Sequence, residues 1–374
     1  MTALRALLLL AAFFAGGLAR ADTVATIPLL VPLTGFLSLE GASQRNGALL
    51  AIEHAPAGLA VRSEVIDTAT SPEAAVNAFA RALRAGPATA VVAPMLGTQM
   101  LALLPLALES GVPLVTVSGT AEITERGNPW VFRFFPGDSV VKAAQARYVV
   151  EQLGKRRIAL VYQTTAYGQS GRRHLRATFD RLGAEVVVED GLAPTVRDMA
   201  PVLTKVRAAN PDAIVLQLHA DPTARFVRQA AAFAVGIPIV AGSAMHQPAT
   251  AALLEPAELA GVCAESGSAP AAGGSPAIER WTAAYRARFG AEPDAFALGQ
   301  YDGTTMVLQA VAAGAHGPEA VRRALAEGRH EGLAMTYRSD GRGNMAHHAV
   351  ILCYDGTSRV PAVVRRYENI GAAE

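Results

Sequence analysis

The chemistry this sequence offers lies in short polar turns of small residues, each just after an apolar run. They are Thr34-Gly35, Gly97-Thr98-Gln99, Ser118-Gly119-Thr120, Ala166-Tyr167-Gly168, His219-Ala220-Asp221 and Gly242-Ser243-Ala244. Ser118 and Thr120 each bring a hydroxyl donor, and Gly119 between them lets main-chain N–H groups come close to an anion. Where such a turn opens a helix, unpaired N–H groups and the partial positive charge of the helix end favour a carboxylate. A single turn of this kind also serves as an ordinary helix cap. Their recurrence through both halves of the chain points to two surfaces facing each other across one anion site.

Reactive groups in a catalytic arrangement are missing from the sequence. Gly341-Arg342-Gly343-Asn344-Met345-Ala346 has dinucleotide-binding spacing, but it precedes the strand-like His347 to Leu352 instead of opening a helix, so its Asp-Gly and Gly-Asn steps read as hairpin chemistry. There is no Walker P-loop and no GxSxG elbow, and Ser243 and His246 stand close together without a hydrolase context. His347 and His348, adjacent on a strand, would point to opposite faces, which is wrong for shared metal ligation. The two cysteines, Cys263 and Cys353, have neither CxxC spacing nor a histidine beside them. No metal or other cofactor is expected, and no catalytic residue is assigned.

The elements that must position the turns alternate between strand and helix. Ile27 to Leu33 reads as a buried strand, Gln44 to His54 as a helix and Val61 to Ile66 as extended. Ser71-Pro72-Glu73 is a cap, a first-turn proline and a helix-end acid in succession, followed by Val76, Phe79 and Leu83 on one face. Strands at 90–93 and 113–117 enclose a helix near 98–110, which is βαβ winding about a mostly parallel sheet. After Trp130 to Phe135 the cycle restarts, with helices over 140–153, 170–182, 201–209 and 222–235 and strands over 158–162, 185–188, 213–218 and 237–241. Ser266 to Pro276 is a small, glycine- and proline-rich linker. Helices at 277–289, 295–313 and 318–328 and a C-terminal hairpin pattern follow it. Helices arriving after the second sheet is complete fit two similar lobes joined by several crossings, or else tandem domains.

Composition narrows the function classes. The chain has 374 residues, 51% of them hydrophobic, which is ample for large cores, while 33 basic against 32 acidic residues give no field favouring nucleic acid. The N-terminus begins MTALR and continues with uncharged Ala6 to Ala19, too short for a span of about 20 residues. With Ala19-Arg20-Ala21 as a small-x-small site, residues 1–21 read as a signal peptide cut before Asp22. The mature chain is expected outside the cytoplasm, in the periplasm, without stable membrane insertion. An oxidising compartment permits a Cys263–Cys353 bridge, but strand-like surroundings at both sites favour two separately buried free thiols.

Residue by residue, the chain resembles the exported substrate-binding proteins of ABC transporters for branched-chain amino acids, the leucine/isoleucine/valine-binding type of class I periplasmic binding proteins. The resemblance covers nearly the whole mature chain. It rests on Ile27 to Gly35, Gly41 with Asn46-Gly47-Ala48, Gly111 to Thr116 leading to Ser118-Gly119-Thr120, and Trp130-Val131-Phe132-Arg133. Ile158 to Tyr162 with Tyr167-Gly168, Pro211 to Val215 and Gln300-Tyr301-Asp302-Gly303 extend it, in the family's order. It implies an α/β fold of two Rossmann-like lobes with three interlobe crossings, near Pro136, Glu265 and Arg338. Residues 22–136 with 267–337 would then form the N-terminal lobe, and 137–266 with 338–374 the C-terminal lobe. It also implies hinge closure over a small ligand and delivery to inner-membrane ABC permease subunits by a monomer.

In that family the ligand carboxylate is held by the turns matching Gly97-Thr98 and Ser118-Gly119-Thr120, and an aromatic ring stacks where Tyr167 stands. Gly97 takes the place of a family serine. Glu40 and His219 replace cleft aromatics, and Ala244, beside Ser243, replaces the acid that anchors the ligand's ammonium. An unpaired buried charge costs several kcal/mol, so the amino-acid clamp is incomplete. Either Glu40, helped by Asp221, takes the ammonium, or the ligand is an amine-free carboxylic acid or a neutral amide; Glu40 as a solvated loop residue is the plain alternative. Two other function classes stand beside the transport reading: a ligand sensor of the same fold acting on a regulator, and an exported α/β enzyme.

Overall fold

A computed structural model describes residues 23–370; the segment 1–21 read as an export signal lies outside them. The chain forms two parallel sheets of the same winding. In the first the order is Val65–Asp67, Leu29–Val31, Val91–Val92, Leu114–Thr116, Val131–Arg133, all parallel. In the second, Glu185–Leu192, Arg157–Gln163, Ala213–Gln217, Ile239–Ala241 and Val262–Ser266 run parallel, and Ala349–Cys353 and Ala362–Tyr367 add antiparallel at the edge. In each sheet the second strand lies outside the first and the later ones follow on its other side. Interior strands such as Leu29–Val31 and Ala213–Gln217 are buried at every position because helices cover both faces.

Local signals set the helix ends. Ser71 Oγ accepts the Ala74 N–H, Pro72 stands in the first turn and Arg81 and Arg84 in the last. The face so defined buries Ala75, Ala78, Phe79 and Ala82. The helix expected from Gln44 starts earlier, at Ser38, and ends at Glu53. Its first turns bury Glu40, Gly41, Ser43 and Gln44, so polar side chains stand where a helix would normally show its apolar stripe. The extended run Val61 to Ile66 is two strands: Leu59–Arg62 pairs with Thr23–Thr26, and Val65–Asp67 joins the first sheet. The helix expected from Val140 opens at Asp138, runs to Arg147 and ends in a wider π-turn, Tyr148–Gln152.

The chain passes between the sheets three times. It leaves the first after Arg133, and Asp138 opens a helix of the second. After Ser266 it returns through the glycine-rich stretch to helices Pro276–Phe289 and Ala295–Ala312, whose Trp281, Tyr285, Ala297 and Leu298 pack with Leu50 of the first helix. After strand Thr336–Arg338, residues 343–345 bond both main-chain sides of Arg133 before the chain enters Ala349–Cys353. That use of Gly341 to Ala346 is structural: an edge extension of the first sheet. His347 is half-buried, its ring bonded to the Arg338 carbonyl at 2.8 Å.

The expectation of free thiols is overturned: Cys263 and Cys353 form a disulfide. The antiparallel pairing of Val262–Ser266 with Ala349–Cys353 places the two residues directly opposite each other. Sequence separation of 90 hides that register from any local pattern.

Candidate functional site

Ser118-Gly119-Thr120 leaves the first sheet at the carboxyl end of Leu114–Thr116, the side where open α/β sheets bind ligands. The next strand ends at Arg133, 1% exposed, and its guanidinium lies beneath the turn. Nη1 donates to the carbonyls of Ser118, Gly119 and Thr120 at 3.4, 3.2 and 2.8 Å, and Nη2 to Thr124 Oγ1 at 3.0 Å and to Asn344 Oδ1. In a trans peptide the C=O and the following N–H point opposite ways, so the N–H groups of Gly119 and Thr120 face away from Arg133. The Ser118 and Thr120 hydroxyls are buried and have no hydrogen-bond partner among the described residues. Burial lowers the Arg133 pKa to about 10, with Asp138 opposing, so the charge stays in place.

Across from this turn stand residues of the second sheet. Tyr167 lies in the first turn of helix Ala166–Arg181, where Thr165 caps the Gly168 N–H. Its ring is 4.9 Å from that of His219, and its hydroxyl fits only because Gly242 has no side chain: a Cβ there would come within 2.8 Å of it. Ser243 Oγ donates to Glu265 Oε1 at 2.7 Å, and Lys142 Nζ bonds the same oxygen. Lys142 and Glu265 are both fully buried. Burial works against the Lys142 ammonium, but Glu265, Tyr167 and Asp138 outweigh it and hold its pKa above the ordinary lysine value. Asp138 is raised to about 7 by burial, with Lys142 pulling the other way, and neither of its oxygens has a partner among the described residues.

A third wall comes from the first helix. Glu40 Oε1 accepts the Ala220 N–H at 2.9 Å and lies 4.0 Å from His219 Nδ1, while Glu40 Oε2 and His219 Nε2 have no partner among the described residues. Burial raises Glu40 to about 7 and lowers His219 to about 3, so His219 is neutral. Leu37, Met95, Val117, Phe135 and Phe296 supply the apolar lining. The enclosed space is about 30 Å³. That suits a water molecule, whereas a benzene-sized guest needs ~150 Å³, so admitting an organic ligand requires the walls to part.

Of the residues singled out in the sequence, Glu40, Gly119, Tyr167, His219, Ser243 and Ala244 line this one cavity. Gly97, Ser118 and Thr120 are not in its lining. A Cβ on Gly97 would meet Thr120 Oγ1 at 1.9 Å, so the threonine hydroxyl fills the space a serine at 97 would need. Thr98, half-buried in the first turn of helix Gly97–Ser110, does not reach the lining. Glu40 is not a solvated loop residue, and Asp221 gives it no help, being held at the surface by Arg225 at 2.7 Å. Ser243 and His246 form no pair: His246 Nε2 accepts the Ala295 N–H at 3.1 Å. Sequence reasoning gave no role to Arg133, Asp138, Lys142 or Glu265. The only signal for them was Arg133 closing the Trp130 to Arg133 motif.

Two parallel lobes with polar turns meeting at their strand ends define a binding protein of the two-lobed α/β kind. A family model described as "Periplasmic binding protein" matches residues 24–354, and the chain belongs to that family. It is similar to the Leu/Ile/Val-binding protein BraC3 of Rhizobium johnstonii, 28% identical over 234 residues, 61% of this chain and 63% of that one. It is also similar to the leucine-, isoleucine-, valine-, threonine- and alanine-binding protein of Pseudomonas aeruginosa, 28% identical over 195 residues, 50% of this chain and 52% of that one. The chain thus spans between about half and just under two thirds of the length of these curated relatives. Among solved structures, the leucine-binding protein LivK of Thermotoga maritima superposes with a TM-score of 0.83 at 24% identity over 92% of this chain and 99% of that one. An ABC transporter solute-binding protein of R. palustris in complex with benzoate does so with 0.85 at 16% identity over 94% and 98%. These likenesses establish the fold. No helix among the described residues is long and apolar enough to cross a membrane.

Proposed function

We propose that the protein is the periplasmic solute-binding component of a branched-chain-amino-acid-type ABC importer, capturing a small carboxylate-bearing ligand between its lobes. The observation that carries this reading is the Ser118-Gly119-Thr120 turn. Its carbonyls are drawn back onto a buried guanidinium, its hydroxyls are unpartnered among the described residues, and its glycine lines the cavity shared with Tyr167 and Ser243. Residues 1–21 act as the export signal. The N-terminal lobe takes residues 22–136 and 267–337, the C-terminal lobe 137–266 and 338–374. Contacts made by both lobes favour the closed state only as far as the ligand binds it better. The closed monomer then docks on inner-membrane permease subunits and releases its ligand unchanged, without catalysis.

The test is thermal stabilisation of the purified protein by leucine, phenylalanine, benzoate, 4-hydroxybenzoate and short amides, followed by calorimetry on those that bind. A ligand at a hundred times its Kd adds about 2.7 kcal/mol, which is readily seen. Stabilisation by carboxylic acids and not by the matching amides supports the reading. Stabilisation by amides alone, or chemical turnover of a bound acid, refutes it.

A further inference from the structure

The charge in the second-lobe wall speaks to ligand class. An α-amino acid presents an ammonium one carbon from its carboxylate, so a cleft that closes over it needs an anionic acceptor beside the carboxylate cradle. Glu265 is placed for that task, with its Oε1 bonded by Ser243, a residue of the cavity lining. That same oxygen already carries an ammonium, because Lys142 reaches it from helix Asp138–Arg147 with both partners fully buried. The Lys142 nitrogen stands 5.4 Å from the centre of the Tyr167 ring, on which a ligand would pack.

From this juxtaposition we infer that Lys142 is a resident ammonium that takes the place of the ligand's own, making the site selective for carboxylic acids without an α-amino group. The inference deepens the proposed function and rests on its carboxylate reading. A bound α-amino acid would set its ammonium against Lys142, whose charge already balances that of Glu265: Oε2 of Glu265 has no partner among the described residues, but it belongs to a carboxylate already paired through Oε1. A des-amino acid leaves the Lys142–Glu265 pair intact and meets main-chain donors at Gly119 of the turn. Asp138, the other buried carboxyl beside Gly119, shares the same lysine: a Cβ on Gly119 would lie 3.5 Å from Asp138 Oδ1. With its pKa raised to about 7 it is largely protonated in mildly acidic solution, and the cluster is then neutral without an added cation. Glu40, on the opposite wall, accepts the Ala220 N–H through Oε1; its Oε2 has no partner among the described residues, but with its pKa raised to about 7 by burial the carboxyl is largely protonated in mildly acidic solution and offers an ammonium no full counter-charge.

Two ligand pairs that differ only in the amine isolate the effect: 3-phenylpropanoate with phenylalanine, and 4-methylpentanoate with leucine, each titrated calorimetrically. The wild-type protein is expected to bind the des-amino member at least tenfold more tightly. Lys142→Met frees Glu265 and shifts that ratio at least tenfold toward the amino acid. Because the single change also strands a buried carboxylate, Lys142→Met/Glu265→Gln is measured beside it and keeps the des-amino preference. An amino acid bound by the wild type as tightly as its partner overturns the inference and leaves the carboxylate reading standing. So does a ratio unmoved in a folded Lys142→Met. Failure of the wild type to bind any carboxylic acid, with or without an amine, removes the carboxylate reading itself and this inference with it.

Discussion

Replacing Arg133 tests whether a residue that never lines the cavity nonetheless builds it. The guanidinium makes one short bond to the Thr120 carbonyl at 2.8 Å, one to Thr124 Oγ1 at 3.0 Å and one to Asn344, with longer contacts to the carbonyls of Ser118 and Gly119. Arg133→Met keeps most of the stem and removes every donor, leaving the Thr120 carbonyl with only a 3.5 Å contact from the Ile123 N–H, while Asn344 Oδ1 keeps the Thr124 hydroxyl at 3.0 Å. At about 1–3 kcal/mol for the one group left short of a good partner, offset in part by relief from burying a charge, the net loss is about 1–2 kcal/mol of folding stability. Arg133→Lys retains a cation but reaches one acceptor at a time, and is expected to lose roughly half as much. Urea unfolding gives the stability term, and calorimetric titration of the variants with benzoate gives the second readout. If the guanidinium orients the turn, folded Arg133→Lys binds at least tenfold more weakly than the wild type. A twofold change or less would refute the positioning argument even if stability falls as expected.

Three further outcomes follow from the same geometry. Alkylation and mass spectrometry should find no free thiol before reduction. Cys263→Ala/Cys353→Ala should unfold at lower urea, with about 2–5 kcal/mol less unfolding free energy, since the bridge closes a loop of 90 residues in the unfolded chain. Glu40 and Asp138 have ordinary carboxyl values of 4.5 and 3.8 and are raised to about 7 in the folded protein. The folded state therefore holds their protons more tightly, and their stabilising contribution is complete at acid pH and lost as pH rises from about 4 through 7. The difference in unfolding free energy between wild type and Asp138→Asn, from urea titrations, should accordingly grow in favour of the variant between pH 5 and pH 8, by an amount on the order of a few kcal/mol. An unchanged difference would show that Asp138 is ionised throughout. Gly97→Ser should cost about 1–3 kcal/mol through the clash with Thr120 Oγ1, and Gly97→Ser/Thr120→Ala should recover most of it by exchanging one hydroxyl for the other. Equal melting temperatures for the single and double variants would argue against that exchange.

Legibility in the sequence followed locality. Turn residues flanked by apolar runs announce themselves within a few positions, and Ser118-Gly119-Thr120, Tyr167, His219 and Ser243 were singled out that way. The charged cluster gave no such signal, because its partners come from distant segments. Lys142 meets Glu265 across 123 residues, and a lysine in a helix reads as a solvated residue until the strand facing it is known. Arg133 sits in a strand motif whose side chain becomes meaningful only once the turn at 118–120 folds over it. Glu40 fell outside the helix expected from Gln44 because the true start, at Ser38, is polar on the face it buries. The disulfide required the register of an edge pairing formed after the last crossing of the chain. Pattern reading sees what the backbone does over a turn of helix or a strand, whereas these features depend on which segments the topology brings together.

The closed arrangement is specified by each lobe completing the helix ends of the other. Glu40 of the first lobe accepts the N–H of Ala220, the first residue of helix Ala220–Ala232 in the second. In return, His246 Nε2 of the second lobe accepts the N–H of Ala295, which opens helix Ala295–Ala312 in the first, and Gln247 donates to Asp294 at 2.6 Å. Ser170 Oγ accepts the Ala121 N–H, just past the turn at 118–120, at 3.0 Å. Helix N-termini carry donors that their own helix cannot satisfy, so parting the lobes exchanges these bonds for water and does not strand them. At roughly 0.5–1.5 kcal/mol net for each bond, the set favours closure by only a few kcal/mol, a margin that opening and ligand entry can overcome. His246 fits this role only when neutral, since a proton on Nε2 would face the Ala295 N–H. Burial, with Asp294 opposing, keeps its pKa below the ordinary histidine value, so the contact survives at neutral pH.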